Sequence, residues 1–224
     1  MHPETTDRMT SFGEKHELTW VDRWGVWLSA RQVRRSVPSF SEKAVGDFGC
    51  GYSAGFARQL IGVAASVTLV DILLAPDLKQ NPRVRAIEGY LPGALGAIES
   101  GSLDLVLCLS VLEHLWHPLD LLSECHRILA PGGLCLVNVP SWRGRYYLEL
   151  SAFRLGLSPS LEIDDHKCYY DPDDLWPLLV SAGFSPSGIR CFKHKFGLNT
   201  FAECRRGSRE HRLRPRIGAR LDGA

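Results

Sequence analysis

The sequence has no uninterrupted apolar run of the roughly eighteen residues a membrane-spanning helix needs. Its opening residues, Met1-His2-Pro3-Glu4-Thr5-Thr6-Asp7, lack the basic-then-apolar layout of an export signal. A soluble, cytoplasmic protein is therefore expected, without a transmembrane segment. The seven cysteines, at positions 50, 108, 125, 135, 168, 191 and 204, include no C-x-x-C pair and mostly sit inside apolar segments. That pattern argues for reduced thiols acting as small hydrophobes, against a disulfide framework or a zinc site. Internal repeats and low-complexity tracts are missing. Strong charge of either sign is missing too, since the formal net charge is only +1. The balance conceals an asymmetry: residues 205–224 hold seven arginines against Glu210 and Asp222, a local +5 that leaves −4 elsewhere. Such a tail reads as a solvated basic terminus, with contact to anionic groups as the alternative.

What is present is an alternation of element types over 224 residues, 45% of them hydrophobic, enough for one substantial core with appendages. After residues 1–16, expected to be polar and frayed, Leu18, Val21, Trp24 or Gly25, Leu28 and Val33 recur at helical spacing, so residues 1–40 read as a helical appendage ending near Pro38. Trp20, Trp24 and Trp27 are expected to pack this helix on the body, with a lid over an acceptor pocket as the alternative. Strands are expected over 44–48, 66–70, 84–88, 103–109 and 134–139, and helices over 55–61 and 118–129. The near-continuous apolar runs at 105–109 and 134–137 suit parallel strands covered on both faces. Residues 141–170 break the alternation. They are too long for an ordinary connection and carry Trp142, Tyr146, Tyr147, Phe153, Tyr169 and Tyr170, which marks them as a functional insertion. Asp171-Pro172 then opens a helix closed by Gly183, and strands at 188–193 and 199–204 form a terminal hairpin. The expected fold is α/β: a Rossmann-like, doubly wound, seven-stranded sheet, mostly parallel with a C-terminal antiparallel hairpin, over 41–204.

The chemical signal is Asp47-Phe48-Gly49-Cys50-Gly51-Tyr52-Ser53-Ala54-Gly55, a glycine turn after a strand, with Asp71 closing the next strand. Bare backbone can approach a ligand there, and a carboxylate on the neighbouring strand end can accept ribose hydroxyls. The glycines read G-x-G-x-x-x-G, one residue longer than a dinucleotide fingerprint, and Asp47 suits a cationic ligand better than a pyrophosphate. Asp47-Phe48-Gly49-Cys50-Gly51 resembles the glycine motif of class I S-adenosylmethionine-dependent methyltransferases, in their small-molecule, type 11/12-like branch, with Ser53 in place of the usual third glycine. Asp71 falls where that family has its ribose-binding acid. Residues 102–115 resemble its fourth strand and following loop, and Arg127-Ile128-Leu129-Ala130-Pro131-Gly132-Gly133-Leu134 resembles its next helix end and fifth strand.

The resemblance implies S-adenosylmethionine as cofactor. Asp47, Gly49, Cys50 and Gly51 would line its methionine part, Asp71 and Ile72 the ribose, Gly89 and Tyr90 the adenine edge, and Ser110, Val111, Leu112 and His114 the sulfonium side. The expected activity is methyl transfer to a small molecule, with an oxygen of a sugar or glycosylated polysaccharide precursor favoured by the look of the insertion. A hydroxyl acceptor must lose its proton, so a base is useful. His166, oriented by Asp165 or Asp164, is the first choice, and His114 the second. A metal held by Asp164, Asp165 and His166 is not expected, because consecutive side chains on an extended segment point apart. Arg143, Arg145 and Lys167 are candidate grips for a phosphate or carboxylate on the acceptor. Nucleic acid is not favoured, because the body is mildly acidic and no Asn-Pro-Pro-Tyr or Asp-Pro-Pro-Tyr segment occurs. A non-catalytic binding module and an NAD-type oxidoreductase are the competing readings.

Overall fold

A computed structural model describes residues 11–14, 20–149 and 166–208. Seven strands form one sheet: β1 (Ala44–Phe48), β2 (Ser66–Asp71), β3 (Val84–Glu88), β4 (Leu103–Leu109), β5 (Leu129–Pro140), β6 (Ile189–His194) and β7 (Asn199–Arg205). Their order across the sheet is β3-β2-β1-β4-β5-β7-β6. The first five are mutually parallel, and β7 runs antiparallel to both β5 and β6. The expected doubly wound architecture and its closing hairpin are both present. Among the described residues no helix is long and apolar enough to cross a membrane.

The continuous apolar runs follow from burial on both faces. Alternate side chains of β4 divide between two cores, Leu105 and Leu107 on one face and Val106 and Cys108 on the other. On the second of these faces lie α3 (Pro118–Ile128) and α5 (Pro172–Ser181), through residues such as Leu121, Leu122, Leu175 and Leu179. On the first face lie α1 (Trp20–Ser36), through Ala30 and Val33, and the short α2 (Pro76–Lys79), through Leu78. Pro172 opens α5, the Asp174 carboxylate accepts from the Asp171 N–H at 3.0 Å, and Gly183 follows the last turn with φ of 105°.

Three local expectations are corrected. The helix over 55–61 is only a 3-10 turn, Ala57–Leu60. The segment is bounded by left-handed residues, Ala54 at φ 47° and Gly62 at φ 91°. Helix α1 supplies the missing cover, since Ala30, Val33 and Val37 share a core with Ala54, Phe56, Ala57 and Leu60. The tryptophans of α1 are not its packing face: Trp20 is 70%, Trp24 49% and Trp27 52% exposed. Residues 1–16 are not uniformly frayed, because Ser11–Glu14 is docked on the body, as described below. The insertion contains a helix, α4 (Trp142–Glu149), admitted by Gly144, where an added Cβ would collide with the Leu198 carbonyl. Asp164, Asp165 and most of the basic tail lie outside the described residues.

Candidate active site

In a doubly wound sheet the ligand crevice opens beyond the carboxyl ends of the strands where the order reverses, here between β1 and β4. A cavity of about 1170 Å³ lies there. Asp47, Gly49, Cys50, Gly51, Asp71, Ile72, Gly89, Tyr90, Ser110, Val111, His114 and His166 all border it. Leu112 does not. It is fully buried in the core with Leu121 and Leu175, because the 3-10 turn Leu112–His114 points it inward while His114 faces the cavity.

The turn after β1 is shaped by two glycines in left-handed conformation, Gly49 at φ 73° and Gly51 at φ 76°. A Cβ on Gly49 would collide with the Val111 side chain, and one on Gly51 would meet the Phe12 carbonyl at 3.1 Å. The bare backbone thus lets three chain segments converge. Asp71 braces the same turn: one carboxylate oxygen accepts from the Gly51 N–H at 2.7 Å, the other from the Ile72 N–H at 2.8 Å. Asp47 sits inside β1 between Leu69 and Leu107, buried yet facing the cavity, and its carboxylate makes no hydrogen bond among the described residues. Burial, and then the charge of Asp71, raise its pKa to about 7. Burial, and then the charges of Asp47 and Asp71, push the Cys50 thiol far up, so it is a neutral lining group and not a nucleophile. A largely buried carboxylate that faces the cavity beside a second one is an environment that a cationic ligand would stabilise.

No periodicity or motif marks the segment that reaches over Asp71. Ser11 is buried, and its Oγ lies 2.6 Å from Asp71 Oδ1 and 2.8 Å from the Leu73 carbonyl, while accepting from the Leu73 N–H at 2.8 Å. The Phe12 carbonyl accepts from the Tyr52 N–H at 3.0 Å. Phe12, Gly13 and Glu14 border the cavity. A contact sixty residues long in sequence, made by one hydroxyl, leaves no periodic trace.

The opposite end of the cavity is built by the loop after β4 and the end of the insertion. Ser110 takes a left-handed φ of 60°, with its N–H on the Asn138 carbonyl at 2.7 Å, which turns the chain off the sheet. The Glu113 carbonyl then accepts from the Lys167 N–H at 2.6 Å, tying the two loops together. The His114 and His166 rings meet edge to face at 4.9 Å, and the Tyr169 hydroxyl lies 3.3 Å from His166 Nδ1. Glu113, buried and missed as a site residue by sequence reasoning, offers a carboxylate oxygen there. One ligand atom each from Glu113, His114 and His166 lie within 4.8 Å of one another, a set that could hold a metal ion. This is a different set from Asp164, Asp165 and His166: ligands from two loops converge where three consecutive ones do not.

The expected anion grips point elsewhere. The Arg145 guanidinium lies over the Tyr169 ring at 5.9 Å and the Lys167 ammonium over Trp116 at 5.5 Å. Neither they nor Arg143 border the cavity, whereas Arg23 of α1 and Lys195 of the β6–β7 turn do.

A glycine turn, two carboxylates and a parallel sheet with a reversed terminal strand define a Rossmann-like methyltransferase fold. A family profile described as "Methyltransferase domain" matches residues 23–186. The chain belongs to this family of class I methyltransferases, and S-adenosylmethionine is its cofactor. A probable S-adenosylmethionine-dependent methyltransferase of Mycolicibacterium smegmatis is 35% identical over 197 residues, 86% of this chain and 70% of the relative. A ubiquinone biosynthesis O-methyltransferase of Psychrobacter arcticus is 27% identical over 210 residues, 83% of this chain and 79% of the relative. A Mycobacterium tuberculosis relative is 30% identical over 79% of this chain, which spans only 61% of that relative's length. Among solved structures, magnesium protoporphyrin IX methyltransferase from Synechocystis, with S-adenosylhomocysteine bound, aligns with a TM-score of 0.62 at 18% identity, covering 86% of this chain and 90% of that one. The NAD-type reading falls with this assignment.

Proposed function

We propose that the protein methylates an oxygen of a small-molecule acceptor, a hydroxyl of a sugar or glycosylated metabolite, with His166 as the base. The observation that carries this reading is the meeting of His114, His166 and Glu113 at one end of a cavity whose other end is the Asp47 and Asp71 glycine turn. When bound, S-adenosylmethionine supplies an electrophilic methyl group. Asp47 would face the cationic methionine end, Asp71 the ribose hydroxyls, and Gly89 and Tyr90 the adenine edge. Ser110 and Val111 would border the methyl position, next to His114. His166 would take the acceptor's proton on Nε2, with Nδ1 held by the Tyr169 hydroxyl, while His114 packs against its ring. Helix α1 would form the lid side, since Trp20 and Trp24 border the mouth with exposed rings. The O-methyltransferase named among the relatives supports oxygen as the atom methylated. The test is release of S-adenosylhomocysteine across a panel of sugars, glycosides and phenols. Wild type should turn over a hydroxyl acceptor, and His166→Asn should cut kcat about 100-fold or more with S-adenosylhomocysteine affinity unchanged. Turnover by His166→Asn at the wild-type rate would remove the base.

A second reading is favoured by the 4.8 Å grouping of Glu113, His114 and His166: a divalent metal there would polarise the acceptor oxygen and lower its pKa. Turnover abolished by chelation and restored by Mn²⁺ or Mg²⁺ would select it, and turnover indifferent to chelation would select the free histidine.

A further inference from the structure

The turn between β6 and β7 is strained in an uncommon way. Lys195, Phe196 and Gly197 are consecutive left-handed residues, at φ 48°, 59° and 84°. Only the third is a glycine, and each of the other two costs on the order of 1–3 kcal/mol that surrounding structure must offset. The effect is to separate two neighbouring side chains. Phe196 goes outward, 76% exposed, and stacks on Trp24 of α1 with ring centroids 6.1 Å apart and planes at 19°. Lys195 goes the other way, into the cavity wall, where its Nζ lies beside Gly25, 3.8 Å from where a Cβ would stand. The ammonium thus lies against the α1 backbone at Gly25.

Nothing among the described residues hydrogen-bonds to that ammonium or forms an ion pair with it within 4 Å, although Glu113 is near enough for its charge to be felt. Burial lowers the Lys195 pKa to about 8, with Glu113 opposing the shift, so the group is still mainly protonated at neutral pH. Its chain neighbour His194 does not compete for an anion: burial, and then the charge of Lys195, lower its pKa to about 4, which leaves it neutral. The wall around Lys195 is on the acceptor side, with Leu198, Asn199, Pro140 and Tyr147 from the hairpin, β5 and α4. The Asp47 and Asp71 carboxylates belong to the opposite, glycine-turn end.

We propose that Lys195 is a specificity-determining residue: the acceptor carries an oxyanion, a carboxylate or a phosphate, that seats against its ammonium between α1 and the β6–β7 turn. A partly desolvated cation without a direct partner is costly to the free protein, and an anionic group is what offsets that cost. A neutral sugar would leave it unpaired. The inference rests on the methyl-transfer reading above and sharpens it, replacing the grips expected at Arg143, Arg145 and Lys167 with one residue of the β6–β7 turn that borders the cavity.

The test uses the full chain saturated with S-adenosylhomocysteine, whose binding is first measured by itself. Two pairs of probes are then titrated by ligand-observed NMR: benzoate against benzamide for a carboxylate, and glucose 6-phosphate against glucose for a phosphate. Wild type should bind the anionic member of at least one pair about tenfold or more tightly than the neutral one, and the preferred pair identifies the source of the oxyanion. Lys195→Met, which keeps the backbone strain and most of the side-chain volume, should erase the gap, and Lys195→Arg should keep most of it. Equal binding of charged and neutral members by wild type, or a gap that survives in Lys195→Met, would overturn the proposal. Failure to bind S-adenosylhomocysteine would instead count against the methyl-transfer reading itself.

Discussion

Ser11 places its hydroxyl 2.6 Å from Asp71 Oδ1, so the carboxylate expected to receive ribose hydroxyls already holds one hydroxyl supplied by the protein itself. The same Oγ is fixed by the Leu73 N–H, and the Phe12 carbonyl by the Tyr52 N–H. The N-terminal segment is thus fastened across the glycine turn at two points, and a ribose hydroxyl reaching Asp71 Oδ1 competes with the first.

Replacing Ser11 by alanine removes that competitor. A hydrogen bond to a charged group contributes about 1.5–3 kcal/mol, part of which the cofactor recovers by making its own. Ser11→Ala should therefore bind S-adenosylhomocysteine about 3–10-fold more tightly, while the ligand-free protein melts a few degrees lower. Calorimetric titration and thermal melts check both. Weaker binding by Ser11→Ala would mean that Ser11 helps to build the ribose site.

The raised pKa of Asp47 gives a pH signature with a definite sign. Its folded value of about 7 lies above the ordinary 3.8, so between about pH 4 and pH 7 the folded protein keeps a proton that the unfolded chain has lost. Stability from this group is therefore greatest below that window and falls as pH rises through it. Asp47→Asn should flatten that fall and be more stable than wild type at pH 8, by on the order of 1 kcal/mol or more. Because a cationic ligand favours the ionised carboxylate, wild-type affinity for S-adenosylmethionine should rise between pH 6 and pH 8. Asp47→Asn should bind weakly at both. Melting temperature and affinity measured across this range test the two halves separately.

Gly49→Ala tests the convergence of segments at the turn. The new Cβ collides with the Val111 side chain at a backbone conformation of φ 73° that alanine disfavours. The variant should lose about 1–3 kcal/mol of stability and at least tenfold in S-adenosylhomocysteine affinity. Adding Val111→Ala relieves the collision but not the dihedral strain, so the double variant should recover only part of each loss. Wild-type affinity in the single variant would show that cofactor binding does not depend on this turn.

Much of this was legible because its physics is local or periodic. Strands β1, β3 and β4 begin and end where the sequence predicts, and in β4 burial on both faces shows directly as a near-continuous apolar run. Asp47, Gly49, Gly51 and Asp71 were legible as a group because glycine placement and strand-end acids recur at short spacing. The helix over 55–61 was misjudged because the left-handed residue at Ala54 carries no compositional mark. Glu113 was passed over, because its meeting with His166 depends on a docking of two loops fifty residues apart. Lys195 was invisible for a related reason: alone in sequence it is an ordinary turn lysine, and only the fold sets it opposite Gly25 and inside a wall.

The measurement that bears most directly on the whole account is calorimetric titration of S-adenosylhomocysteine into wild type and Asp71→Asn, with folding of both confirmed by thermal melts. The site as described predicts one cofactor per chain for wild type and at least tenfold weaker binding for Asp71→Asn, whose amide cannot accept from the Gly51 N–H, the Ile72 N–H and a ribose together. A folded wild-type protein that binds no cofactor, or a folded Asp71→Asn that binds it as tightly, would contradict the account.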